Sequence, residues 1–435
     1  MKLGIEGFIY ADLYRPERLA DLMESFDTAL QDSDPSLYAE FNAYRDSQGD
    51  DMAPQDISDL LVRLAPHVGE FLARLFHVEN ERNTQMAAIQ EDVDIIFTFR
   101  NEITARLPSL FKNHALDDLD IRQTADQLEL LIQAGFPEAD KDTDRERRVC
   151  LVGSYLARLS NHYRSVAKGK GSVIHNADSA VIEIREALAA HAEAKQDFAD
   201  MLALLDMGRF VDALLTIVQR WAFAAVHDPE LNKRIRGWVS FKMPQKTDQD
   251  NLVHHETRHR QGYETWVGFP AEHRRRDGFS LTDHRFNQRQ VQYEIDHCIY
   301  CHDRDTDSCS KGMRNKRGGD KDFKVNALGV TITGCPLGEK ISEMHVIKRQ
   351  GDNIGSLALV TLDNPMCPGT GHRICNDCMR GCIYQKTEPV NIPQIETNVL
   401  TDVLFMPWGF EIYSLLTRWN PLNVERPYAL PYNGK

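Results

Sequence analysis

Eight of the chain's nine cysteines fall between residues 298 and 382, and this concentration constrains the fold of that stretch more than any other feature. Four thiolates hold a cubane iron–sulfur cluster or close a tetrahedral structural zinc site, so eight point to two such centres. Cys298-x2-Cys301-x7-Cys309, followed far downstream by Cys378-x3-Cys382, combines close-set ligands with distant ones. Iron–sulfur centres use that asymmetry. Two C-x2-C pairs, Cys298/Cys301 and Cys375/Cys378, keep zinc open as the other reading. Met1 to Tyr10 carries Lys2 and Glu6 without an apolar signal region, so a cytoplasmic protein is expected, in a compartment where a disulfide framework is not.

The 435 residues leave room for two or three domains with ample core, and 42% hydrophobic with 27% charged residues is ordinary for a folded chain. A formal charge of -14 argues against nucleic-acid binding by the body of the protein, and no apolar run approaches a membrane span. Helical periodicity dominates residues 1–230. Ile57, Leu60, Leu61, Leu64, Val68, Phe71, Leu72 and Leu75 form one stripe, and Phe210, Val211, Leu214, Leu215, Val218, Trp221, Ala222 and Ala225 form another. Weaker stripes run near 16–30, 83–107, 118–134, 144–166 and 179–205. Residues 231–290 are basic and histidine-rich, and read as a connector of irregular backbone with short helices. Short helices are expected again from Ile341 to Lys348 and from Ile354 to Leu362. The fold class is therefore mainly α: a helical domain over 1–230, the connector, a helical cysteine-bearing domain with irregular loops over 291–400, and a tail over 401–435.

The order of residues around the cysteines resembles the N-terminal iron–sulfur domain of the glutamate synthase small subunit and dihydropyrimidine dehydrogenase. The similarity runs from Cys298 to Glu396. It rests on Cys298, Cys301, Cys309, Cys335-Pro336, Asn364-Pro365, Cys367-Pro368, Cys378-x3-Cys382 and the closing segment Glu388 to Glu396. The resemblance implies an α-helical ferredoxin-like domain with two 4Fe–4S clusters. It assigns Cys298, Cys301, Cys309 and Cys382 to one cluster, and Cys335, Cys367 and Cys378 with Cys375 or Glu396 to the other. It also implies electron relay for an NAD(P)H-dependent flavoprotein oxidoreductase. Because the chain has no G-x-G-x-x-G loop, FAD and NAD(P)H would sit on a missing C-terminal domain or partner chain, toward which the tail would lead. The chain would then carry no complete catalytic site of its own. It departs from that pattern in that Cys309 and Cys335 are 26 positions apart, which implies an exposed loop over Ser310 to Gly334, and in the extra thiol Cys375.

Two functions of other classes compete with electron transfer. One is a zinc-stabilised protein-interaction module. The other is a zinc metallopeptidase using His255-Glu256-Thr257-Arg258-His259, which fits H-E-x-x-H and needs both histidines on one helix face. The polar flanks His254, Arg260 and Gln261 favour a solvated basic helix instead. Cys150 reads as a buried small hydrophobe, Arg274-Arg275-Arg276 as a solvated turn, and the late aromatics Phe405, Trp408, Phe410 and Trp419 as core.

Overall fold

The computed structural model describes residues 2–112, 119–171, 174–248, 250–253, 255–269, 278–279, 283–304, 307–315, 322–372 and 374–424. Among these the chain is mainly α, with one two-stranded antiparallel sheet. It forms two compact units, one made of residues 1–89 with 244–435 and the other of residues 90–243.

The chain opens with α1 (Pro16–Ser33), α2 (Pro35–Ser47), α3 (Pro54–Phe76) and α4 (Glu79–Asp92). Proline at the first helical position of α1, α2 and α3 sets the entry torsion where no amide donor is needed. Asp34 caps α2 by accepting from the Leu37 amide at 2.9 Å. The α3 stripe of Leu60, Leu61, Leu64, Val68, Phe71, Leu72 and Leu75 is buried throughout, and each such leucine contributes about 1.5–3 kcal/mol when fully buried.

The second unit is built on α5 (Ile121–Gly135), α6 (Arg145–Ala167), α7 (Ala177–Ala190) and α8 (Met207–His227). Asp120, Asp144 and Asp206 cap three of them through their carboxylates. The predicted α8 stripe is buried against α5 and α6. Cys150 is wholly buried on α6 beside Val149 and Val152, in agreement with its reading as a small hydrophobe.

The first unit resumes with β1 (Glu256–Arg260), β2 (Tyr263–Val267), α9 (Gln288–His297), α10 (Ile341–Arg349), α11 (Asn353–Asp363), α12 (Asp377–Gly381), α13 (Ile392–Leu404) and α14 (Gly409–Leu416). A reciprocal capping box between Asn287 and Gln290 starts α9. α3 and α11 meet at backbone distance. A Cβ on Gly69 would lie 2.6 Å from Asp352 Oδ2, and one on Gly355 2.8 Å from the Ala65 carbonyl oxygen, so only glycine fits at this crossing. Phe26, Phe71 and Trp419 close the core, with Phe26 edge-on to Phe71 at 5.5 Å and Trp419 at 5.8 Å from Phe71.

Three expectations are corrected. The helical domain expected over 1–230 is divided, because the apolar faces of α1 to α3 share one core with α11, α13 and α14 while residues 90–243 bury theirs among themselves. The connector's H-E-x-x-H motif lies not on a helix but at the start of a solvated hairpin, with Arg260 paired to Tyr263 across the turn Gln261-Gly262. The expected tail is core as far as Leu422: Val403, Met406, Ile412, Leu415, Leu416 and Trp419 are buried, whereas Phe405 and Phe410 are exposed. His254, Arg274 to Arg276 and residues 425–435 lie outside the described residues.

Candidate metal centre

α9 delivers Cys298 at its C-terminal cap. The chain then turns through Tyr300, whose positive φ of 51° aims its amide back at the Cys298 sulfur, 3.4 Å away. Cys301 begins a 3-10 turn, Cys301–Arg304, Cys309 sits in the helical turn Ser308–Lys311, and Cys382 caps the end of α12. Their charges act on one another: Cys382 on Cys298, Cys301 and Cys309, Cys301 on Cys298, and Cys298 on Cys309. Four thiols from four separate segments thus share one locality. Burial pushes Cys298 up to about 12 and Cys301 to about 11, and holds Cys309 well above the ordinary thiol range. Amides oppose that trend, from Tyr300 at Cys298 and from Val390 and Tyr384 at Cys382, and hydrogen bonds of this kind favour thiolate.

A second locality gathers Cys335, Cys367, Cys375 and Cys378 with two carboxyls. Cys378 feels the charges of Cys335, Cys375, Glu339 and Glu396, and Cys367 those of Glu396 and Glu339. Around the Cys335 sulfur the amides of Leu337, Gly338 and Glu339 converge, as the turn after Cys335-Pro336 brings successive N–H groups to one side. Glu396 is buried on α13 and accepts from Asn364 Nδ2 at 2.9 Å. Burial pushes both Glu396 and Glu339 upward, and Glu339 repels Glu396 further. Cys375 is the exposed member of this set.

The two localities are joined twice. Along α12, Cys378 and Cys382 are one helical turn apart and serve different groups. Across the loop, the Cys335 amide donates to the Cys309 carbonyl at 2.9 Å. The loop expected over Ser310 to Gly334 leaves from this point as a pinched excursion, with Met313 bonded to Ile332 and Lys324 to Met313. Gly312 and Gly334 form the pinch at φ 78° and 77°, and a Cβ on Gly334 would lie 2.4 Å from the Gly312 nitrogen. Gly334→Ala is therefore expected to destabilise the fold by about 2 kcal/mol and separate Cys309 from Cys335. A thermal melt together with thiol accessibility to a maleimide checks both effects.

Among the described residues, no three of these cysteine sulfurs lie within 4.8 Å of one another. The peptidase ligands are not assembled at all. His259 and Glu256 are on β1, where residues four apart are separated by about 13 Å. His259 pairs with Glu264 at 3.2 Å, and His255 leans on Trp266 with its Nδ1 2.8 Å from the Val253 carbonyl oxygen.

Sequence reasoning missed Glu339 and the hydrogen bond that Asn364 donates to Glu396. Glu339, four residues beyond Cys335, is an acid ahead of the apolar run that starts at Ile341 and was the one available signal. It also missed Asp59 and His302, which the fold brings together with Asp303.

In comparison with known proteins, residues 3–77 match the RP005 N-terminal alpha-helical domain. The uncharacterized protein RP006 of Rickettsia prowazekii (strain Madrid E) is 64% identical over 62 residues, which is 14% of this chain and 9% of that protein. The uncharacterized protein RP005 of the same organism is 25% identical over 355 residues, 80% of this chain and 99% of that protein. No solved structure matches. These findings overturn the resemblance to the glutamate synthase small subunit and dihydropyrimidine dehydrogenase, since the similarity that emerges is to the RP005 helical domain and to these two Rickettsia proteins. The FAD- and NAD(P)H-binding partner stood on that resemblance alone.

Proposed function

We propose that the chain holds two iron–sulfur clusters, one on Cys298, Cys301, Cys309 and Cys382 and the other on Cys335, Cys367 and Cys378 with Cys375 or Glu396, and that it relays electrons. The observation that supports this reading is that the eight cysteines fall into two adjoining localities, in each of which the thiols and carboxyls act on one another. The donor set suits the group, because cysteine sulfurs that accept from backbone amides, as Cys298, Cys335 and Cys382 do, are what a cluster uses. A bound cluster supplies one-electron transfer. The chain's own residues position it: α12 fixes the separation of the two sets, and the apolar core around Val291, Ile295, Ile395 and Val399 keeps water away. Exposed Cys375 brings the second set nearer to solvent and to any redox partner.

Anaerobic purification followed by a visible spectrum and iron and zinc analysis tests the proposal. A brown protein with about eight iron per chain, bleached by dithionite, is expected. A colourless protein with one or two zinc and no iron overturns it in favour of a zinc-held interaction module. Cys375→Ser and Glu396→Ala then identify the last ligand, since only the true ligand's loss shifts the second cluster's spectrum.

No helix among the described residues is long and apolar enough to cross a membrane.

A further inference from the structure

Apart from the cysteines, one group of metal-binding atoms comes together among the described residues. Asp59 in α3 and His302 and Asp303 in the 3-10 turn Cys301–Arg304 each offer a ligand atom, and the three atoms all lie within 4.8 Å of one another. The two acids are exposed, while the imidazole is almost wholly buried. Its Nδ1 lies 2.6 Å from the hydroxyl of Ser342, itself buried on α10, and its Nε2 lies 3.1 Å from Asp303 Oδ1. The serine therefore fixes the ring and leaves Nε2 toward the carboxylates, the orientation that outer-sphere partners impose on metal-binding histidines.

A second observation points the same way. Glu343, next to Ser342 and 1% exposed, uses one carboxylate oxygen to accept from Ser58, the neighbour of Asp59, at 2.6 Å. Its other oxygen is buried with no hydrogen-bond partner, and its charge acts with that of His302. Two acids close on one imidazole whose other nitrogen is held by a buried serine, a mixed oxygen and nitrogen donor set of the kind a divalent ion uses.

We infer that Asp59, His302 and Asp303 form a mononuclear site for a first-row divalent metal ion. One imidazole and two carboxylates match the donor preferences of Mn2+, Fe2+ and Zn2+, whereas Mg2+ and Ca2+ prefer all-oxygen shells. The exposed side of the site leaves positions for water or a small anionic ligand. The site ties α3 to the turn that carries Cys301, so a bound ion would brace the edge of the first cysteine set.

Mn2+ serves as the probe because thiolates bind it poorly. Titration of the full-length, chelator-treated protein, followed by the loss of the free-Mn2+ EPR signal, is expected to show one site per chain. Asp59→Asn should weaken it on the order of tenfold or more, and Ser342→Ala by a smaller factor. His302→Gln should abolish it. Wild-type protein that takes up no Mn2+, or an Asp59→Asn variant that binds as wild type does, overturns the inference. Asp59 is on the surface of α3, so its variant keeps the test valid even if His302→Gln fails to fold. Iron bound at the cysteines is read separately by absorbance.

Discussion

Cys378→Ser is expected to remove about half of the iron, roughly four of eight per chain, while leaving a spectrum from the first cysteine set. Cys378 feels Cys335, Cys375, Glu339 and Glu396, more of that locality than Cys335 or Cys367 does, so its sulfur is central to it. Serine preserves the volume and the α12 backbone, so Cys382 at the far end of the helix keeps its place. Gly381→Ala makes the converse test. A Cβ there would lie 2.5 Å from the Ser308 carbonyl oxygen, which would push α12 off the turn carrying Cys309 and damage the first set instead. Iron analysis and EPR of the reduced protein distinguish the two lesions. Equal loss of all iron in both variants, or none in either, contradicts two separable centres.

The helices were legible because their apolar residues recur at three and four. α3 and α8 bury the residues that periodicity selects, except the half-buried Ile57, and the turns at Pro35 and Asp363-Asn364-Pro365 lie where helices end. What a stripe does not encode is its partner. Nothing in Leu60 to Leu75 says that this face packs on α11, almost 300 residues later, so the division of the first 230 residues was invisible. The hairpin at 256–267 was misread for a related reason. Glu256 to Arg260 has no apolar face to reveal a period of two, and only Tyr263, Thr265, Trp266 and Val267 after Gly262 carry strand preference. At the candidate site, the cysteines announce themselves by count and spacing. Asp59 and Glu339 do not, because their closeness to His302 and to Glu396 arises only when distant segments meet.

Arg82→Met is expected to destabilise the first unit by about 3–5 kcal/mol, enough to lower its melting temperature by roughly 10 °C. Asp352 is 1% exposed between α3 and α11. Arg82 on α4 reaches both of its oxygens, Nε at 3.0 Å and Nη2 at 2.7 Å, the paired geometry that compensates a buried carboxylate. The same carboxylate caps α11 by accepting from the Gly355 amide at 3.1 Å, and it fills the space that any side chain at Gly69 would need. Removing the guanidinium leaves that charge buried without its counter-ion, which costs far more than the pair contributes when intact. Asp352→Asn in the Arg82→Met background removes the charge and keeps the capping oxygen, so the double variant should recover most of the lost stability. Denaturant melts of the two single variants and the double variant give the coupling directly. A loss below about 1 kcal/mol for Arg82→Met would mean that water reaches Asp352 and that the α3–α11 crossing is looser than its glycines require.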